Sequence, residues 1–500
     1  MTRRANLIIL DFMTGETGCN WSGPLSAATI ITIIGQVIAL TIILRILTER
    51  RDAAATFAWI FGLILLPYIG AILYLMLAGK IERRRIKIRH RATARLGEKK
   101  HDLEKNIQIH REESLKDVDP YFKGVMRLAE ELGAGHPTVG NSVSLLDTGT
   151  QTFDAIEKAI KKARAHIHLE YYIFRPDETG RRILDLLEHK ARQGVEVRLL
   201  YDSVGSSSLK KRHVKHLIEA GGRVVPFLPL FSLRRPFSVN FRTHRKIIVV
   251  DDTVGFVGGR NIGNEYRSDR VESGEWRDVH LRIEGPAVNR LQEVFAEDWI
   301  FATGEDVSTL EHCFTPFKRP GRARVQVLDS GPDGQPKVIH RILFEAIVSA
   351  RKSIDIVTPY FVPDGSIVMA LQNASFRNVQ VRLLVPGITD NLVTGWAARS
   401  YFQEMLTAGV EVYVYSPGMH HAKLVVIDGN WAYAGTANMD IRSFRLNFEV
   451  GVAIYETDIA KQIVSFIDRD IRKSERLVYK RPGRIEALAN GVGRALSPVL

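Results

Sequence analysis

A chain of 500 residues is too long for one ordinary domain, so two or three units are expected. Its two cysteines, Cys19 and Cys313, lie in no CxxC pattern and no His/Cys cluster, which excludes a disulfide framework and a zinc site. A formal net charge of +13 calls for an anionic partner, either nucleic acid or an acidic membrane, and does not choose between them.

The N-terminal elements choose. Residues 1–24 give no readable pattern, but Leu25 to Leu44 is uncharged and long enough to span a bilayer. Ala53 to Gly79 is a second uncharged run, with Trp59, Tyr68 and Tyr74 as interfacial aromatics and Pro67 expected to kink it. A short charged turn, Arg45 to Asp52, separates the two, so residues 1–80 read as a transmembrane helical hairpin. About two dozen mixed residues before the first span argue against a cleaved signal peptide. The basic run Lys80, Arg83, Arg84, Arg85, Lys87, Arg89 and Arg91 places both termini in the cytoplasm by the positive-inside rule, and the same charges suit anionic headgroups.

Residues 81–118 are highly charged and poor in aromatics, as in a linker. Two similar halves follow, at 119–315 and 322–485, with Pro316, Pro320 and Gly321 at the join. Ala159 to Asp177 aligns with Ala346 to Asp364, and Val195 to Leu200 with Val379 to Leu384. Ala220-Gly221 likewise answers Ala408-Gly409. Each half reads as alternating helix and strand, an α/β unit with a largely buried sheet.

Each half then carries His-x-Lys, four apolar residues and Asp, followed by a small-residue turn ending in Asn. The first copy is His244, Lys246 and Asp251 with Gly258, Gly259 and Asn261; the second is His421, Lys423 and Asp428 with Gly435, Thr436 and Asn438. The apolar spacers predict buried strands, on which His and Lys, two apart, share a face. Bringing the two faces together would gather two imidazoles, two ammonium groups and two amides around one anion. Such a site suits chemistry on a phosphodiester. The lysines neutralise its charge and the Asn amides donate to its non-bridging oxygens. One neutral imidazole attacks phosphorus while the other, protonated, gives its proton to the leaving oxygen. No metal is required, and no acidic metal cluster, P-loop or GxGxxG pattern stands out.

These residues resemble the doubled His-Lys-Asp signature of the phospholipase D superfamily. Thr243 to Tyr266, Trp276 to Ile283, Thr358 to Asp364 and His421 to Val450 are similar, within it, to bacterial cardiolipin synthases, as is the hairpin stretch Leu65 to Gly79. The resemblance runs from about residue 25 into the C-terminal region. It implies an α/β fold of two tandem phospholipase D-like domains, a mixed sheet flanked by helices, sharing one active site behind the transmembrane hairpin. It implies His244 as nucleophile and His421 as acid/base, with Asp278 and Glu449 in the places where the family orients its histidines. Asp251 and Asp428 complete the motif and are expected to anchor the strand ends; Arg442 and Ser443 are further candidates for lining the site.

The apolar, Arg-containing segment Val225 to Phe237 is expected to dip into the bilayer interface and admit acyl chains. A membrane hairpin beside a phosphodiester site argues for a lipid substrate. The resemblance implies transfer of a phosphatidyl group between two phosphatidylglycerol molecules, giving cardiolipin and glycerol, in a bacterial inner membrane, without cofactor or nucleic acid. Three alternatives remain open: a phospholipase D using water as acceptor, a nuclease of the same superfamily, and a non-catalytic lipid-binding scaffold. No motif indicates an oligomeric state.

Overall fold

The computed structural model describes residues 26–48, 53–77, 113, 118–229, 240–271, 274–305, 318–332, 337–389 and 392–497. The N-terminal 24 residues, the basic run after residue 79, nearly all of the charged linker and most of the expected bilayer-dipping segment (230–239) lie outside the described residues. Two compact units are present, Met1–Gly79 and Lys80–Leu500.

In the first unit, α1 (Ala27–Thr48), α2 (Ala53–Leu65) and α3 (Pro67–Leu77) pack together. Among the described residues, α1 is the one helix long and apolar enough to cross a membrane. The expected second span is two short helices: the chain breaks at Leu66, and Pro67, lacking an N–H, opens α3 at its first position instead of kinking one long helix. Glycines let the helices approach closely. The Tyr68 ring lies over Gly35 and its hydroxyl donates to the Ile31 carbonyl, while a Cβ on Gly70 would stand 2.7 Å from the Gly62 oxygen. Ala39, Ile42, Leu63 and Tyr74 form a small core, whereas Val37, Leu40, Phe61 and Leu65 are more than half exposed. An apolar outer surface of this kind suits lipid rather than water.

The second unit is built on one 16-stranded sheet. The first half supplies β1 (Thr138–Leu146), β2 (His166–Tyr171), β3 (Glu196–Asp202), β4 (Arg223–Phe227), β5 (Lys246–Val250), β6 (Val254–Gly258) and β7 (His280–Glu284). The second half supplies β8 (Ala323–Ser330), β9 (Ser353–Val357), β10 (Gln380–Pro386), β11 (Glu411–Tyr415), β12 (Leu424–Ile427), β13 (Trp431–Gly435) and β14 (Asn447–Ile454). These fourteen run in the order β4-β3-β2-β5-β6-β7-β1-β8-β14-β13-β12-β9-β10-β11, so both halves read alike outward from the β1–β8 pair; Ser474–Arg476 adds an edge strand beside β11, and Arg242–Thr243 pairs with β14 off this path. Parallel pairs toward each end (β2–β3, β9–β10) flank a run of antiparallel ones (from β2–β5 across to β9–β12), making the sheet mixed.

At the join, Asn141 in β1 donates to the Ala323 carbonyl in β8 at 3.1 Å and accepts from the Ala287 N–H at 2.9 Å. Gly321 passes so close that a Cβ there would lie 2.3 Å from the Asn141 oxygen. The wholly apolar spacers are explained by burial on both faces. Ile247 and Val249 meet Leu424 and Val426 in a central core, under the helices Ala287–Thr303 and Thr457–Ile471. Ile248 and Val250 point into the outer core of the first half, and Val425 and Ile427 into that of the second.

Candidate active site

Both histidines stand just outside the strands expected to carry them. β5 begins at Lys246 and β12 at Leu424, because the main chain at each His leaves its own ladder to pair with the opposite half. The His244 N–H donates to the Phe448 carbonyl at 2.9 Å, and the His421 N–H to the Arg277 carbonyl at 2.6 Å. Short parallel pairings hold these crossings: Arg242–Thr243 against Asn447–Phe448, and Gly418–His420 against Glu275–Arg277.

The residue after each crossing point is a carboxylate. Glu449 follows Phe448 and lies 3.0 Å from His244 Nδ1; Asp278 follows Arg277 and lies 2.8 Å from His421 Nδ1. Each half therefore supplies one histidine and the partner of the other half's histidine. Glu449 also accepts from the Thr436 hydroxyl and from Asn447 Nδ2, and Asp278 accepts from the Val279 N–H. The small residues of the motif tails now have a cause. A Cβ on Gly259 would stand 2.1 Å from Asp278 Oδ1, and one on Gly435 would stand 2.6 Å from the Gly451 Cα.

With Nδ1 engaged by a carboxylate, the chemistry of each ring falls to Nε2, and that of His421 also lies 3.1 Å from Lys423 Nζ. Tyr172 packs edge-on to His244 with ring centroids 5.0 Å apart, and Trp276 lies 4.9 Å from His421. Lys246 Nζ donates to the His244 carbonyl at 2.7 Å, and Lys423 Nζ lies against the His421 ring and donates to its carbonyl at 2.5 Å. Both histidines line a cavity of about 420 Å³, with Asn261, Asn438, Arg242 and Arg442. Asn261 accepts from the Ile173 N–H at 3.2 Å, which turns its amide nitrogen away from that bond. Asn438, expected to donate to phosphate, lines the cavity, and its amide nitrogen also donates to Asp440 at 3.1 Å. Ser443 is engaged within this same turn: its Oγ accepts from the Asn438 N–H at 3.1 Å, and its own N–H donates to Asp440 at 2.6 Å.

Asp251 and Asp428 stand apart from the cavity lining. Each adopts a left-handed backbone (φ 50° and 53°) and collects N–H groups at the start of the neighbouring strand. Asp251 takes those of Arg164, Ala165 and His166, and Asp428 those of Arg351, Lys352 and Ser353.

Burial dominates the electrostatics. It lowers His244 to about 4 and His421 to about 3, with the nearby lysines pushing the same way and the carboxylates opposing. Burial, then Lys423, lowers Lys246 to about 7. Against the opposing pull of burial, His244 and Lys246 hold Glu449 down to about 2, and His421 and Lys423 do the same for Asp278. Burial raises Asp440 to about 6. Tyr172, Arg242 and Asp440 carry no motif of their own and escape a sequence reading; Trp276, two residues before Asp278, could have been found from its neighbour.

The family described as "Cardiolipin synthase, PLD-like domain" matches residues 156–299 and 343–471, and "Phospholipase_D-nuclease N-terminal" matches 36–79. A cardiolipin synthase of Geobacillus kaustophilus is 38% identical to the chain, with 99% of this chain and 98% of that one covered. The major cardiolipin synthase of Bacillus subtilis is 38% identical, covering 94% and 98%. Among solved structures, a phosphatidylserine synthase of Haemophilus influenzae superposes with a TM-score of 0.57 at 16% identity, over 75% of this chain and all of that one, a likeness of fold.

Proposed function

The chain belongs to the cardiolipin synthase family of phospholipase D-like proteins, and from that premise we propose a reaction scheme for it as a membrane phosphatidyltransferase. One phosphatidylglycerol enters with its phosphodiester between the two histidines. Neutral His244 attacks phosphorus through Nε2, the bond from phosphorus to the glycerol oxygen breaks, and protonated His421 gives that oxygen its proton. A phosphatidyl-histidine and free glycerol result. A hydroxyl of a second phosphatidylglycerol then loses its proton to His421 and attacks phosphorus; the P–N bond breaks, leaving cardiolipin and the starting enzyme. The exchange conserves the number of phosphodiester bonds, so it needs no nucleotide.

The observation that carries this scheme is the crossed pair of His–carboxylate contacts around one cavity. Glu449 holds His244 in the tautomer whose Nε2 is a free base, and Asp278 supports the cation that forms on His421. Both histidines are neutral in the buried cavity, which suits a nucleophile but not an acid. The arriving phosphodiester supplies the negative charge that lets one of them hold a proton. Lys246 and Lys423, Arg242 and Asn261 stabilise the charge on phosphorus's outer oxygens. Asp251 and Asp428 anchor strands and take no part in bond making. The proposal extends to a two-pass membrane topology with the catalytic unit in the cytoplasm, supported by the basic residues flanking the apolar segments.

The test supplies labelled phosphatidylglycerol as sole lipid to the purified full-length protein. Cardiolipin and glycerol in equal amounts are expected. Phosphatidic acid as the sole lipid product would replace transfer with hydrolysis.

A further inference from the structure

A second cavity, of about 340 Å³, lies beside the catalytic one and shares Tyr360 and Thr394 with it as walls. Its lining is mainly apolar, with Phe361, Phe402, Leu406, Val414 and Leu477, and its charged members are Arg399, Lys480 and Glu486. Two elements frame it: α4 (Leu392–Thr407) and the segment Leu477–Lys480 that leads into α5 (Arg484–Leu496).

α5 is held firmly to α4. A Cβ on Gly493 would stand 2.5 Å from the Ala397 nitrogen, so the two backbones are in close contact. Arg494 donates to Glu404 at 2.8 Å and lies over the Tyr401 ring at 4.7 Å. Yet the opposite side of α5 carries an apolar stripe into solvent. Ile485, Leu488 and Val492, spaced three and four apart, are 86%, 70% and 46% exposed. Val478, which lines the cavity, is 82% exposed, and Leu392 at the start of α4 is 71% exposed. Lys480, Arg481 and Arg484 are exposed in the same stretch of chain, with Glu486 as the one acid among them. An apolar stripe interleaved with cations is the composition of a helix lying in an anionic membrane interface.

We propose that this face docks the catalytic unit on an anionic bilayer and that the adjoining cavity takes an acyl chain of the phospholipid whose phosphate occupies the catalytic cavity. The assignment rests on the phosphatidyltransferase reading above. It commits to a lipid surface rather than a protein partner, because the apolar rim is continuous with a site for a lipid phosphodiester and is flanked by positive charge. Lys480 and Arg399 sit where a chain would pass the headgroup level.

The experiment places the full-length protein in phosphatidylglycerol vesicles in which a fraction of the lipid carries a diazirine at the end of one acyl chain. After irradiation, labelled peptides are mapped by mass. Label is expected on residues 385–406 and 477–486 as well as on α1 to α3, and Ala398→Phe, which fills the cavity, should remove the former and leave the latter. Label confined to α1 to α3 in the unaltered protein overturns the proposal. As a second measurement, R481E/R484E should lower the ratio of turnover on vesicles to turnover on a short-chain, water-soluble phosphatidylglycerol by about tenfold or more. An unchanged ratio overturns the docking face. Label at the expected peptides with no cardiolipin formed would leave the lipid site standing and overturn the reaction it was assigned to serve.

Discussion

His244 is within 11% of full side-chain burial and Glu449 is wholly buried, so their contact is made in a medium where charge is costly and orientation is fixed. Replacing Glu449 by Gln keeps the shape but removes the charge that sets the tautomer. kcat should fall roughly 100- to 10,000-fold with little change in KM, measured on the purified variant. Lys246 presents the opposite case. A buried group lowered from 10.5 to about 7 destabilises the fold wherever it is charged, that is, most strongly below pH 7. Lys246→Met should therefore abolish turnover while raising Tm by about 2 °C or more, and a lower Tm would contradict the assignment. The histidines add a pH dependence of definite sign. Their folded values, about 4 and about 3, lie below the unfolded value of 6.5, so the unfolded chain binds more protons in between. The stability they contribute is complete above pH 6.5 and is lost as the pH falls through their folded values. Thermal scans should show Tm falling below pH 6.5, with a shallower fall in H244Q/H421Q.

At the scale of elements, turns and strand ends do the positioning. Asp251 occupies a left-handed position that Asn also tolerates, so Asp251→Asn removes charge from the three N–H contacts without straining the turn. A loss of about 2 kcal/mol in stability is expected by denaturant titration, with kcat retained in the folded protein. Gly259→Ala acts the other way: its Cβ would overlap the Asp278 carboxylate, so activity should drop while the midpoint moves less than in Asp251→Asn. The doubled motif, the apolar spacers and the matching halves were legible in the sequence because they are periodic or repeated. The break at Leu66 was not, since a proline in an apolar run is compatible with either a kink or a stop. Nor was the pairing of Glu449 with His244 and Asp278 with His421. Residues 205 and 143 positions apart, respectively, are joined by sheet pairing between halves, which local pattern does not encode. Arg242 reaches the cavity for the same reason, whereas Tyr172 comes from the end of β2 in its own half.

At the scale of the whole catalytic unit, one sheet runs through both halves, and each histidine takes its main-chain and carboxylate partners from the far side. If all four groups come from one chain, mixing H244A with H421A full-length proteins should recover no turnover beyond that of either alone. Recovery toward about a quarter of the unmutated rate, the share of intact sites that random reciprocal exchange between two chains would give, would show that halves exchange between chains.

The crossed construction also bears on how such a molecule can change over generations. A symmetric pair of separate chains must keep both copies of a pocket alike, because one gene writes both. Here the duplicate is written twice, and the walls have already diverged: Gly259 faces Asp278 where Thr436 faces Glu449, and Gly263 stands where the other half has Asp440. One side is thereby at liberty to suit the departing alcohol and the other the incoming one, while each remains answerable to its opposite for the carboxylate that makes it work.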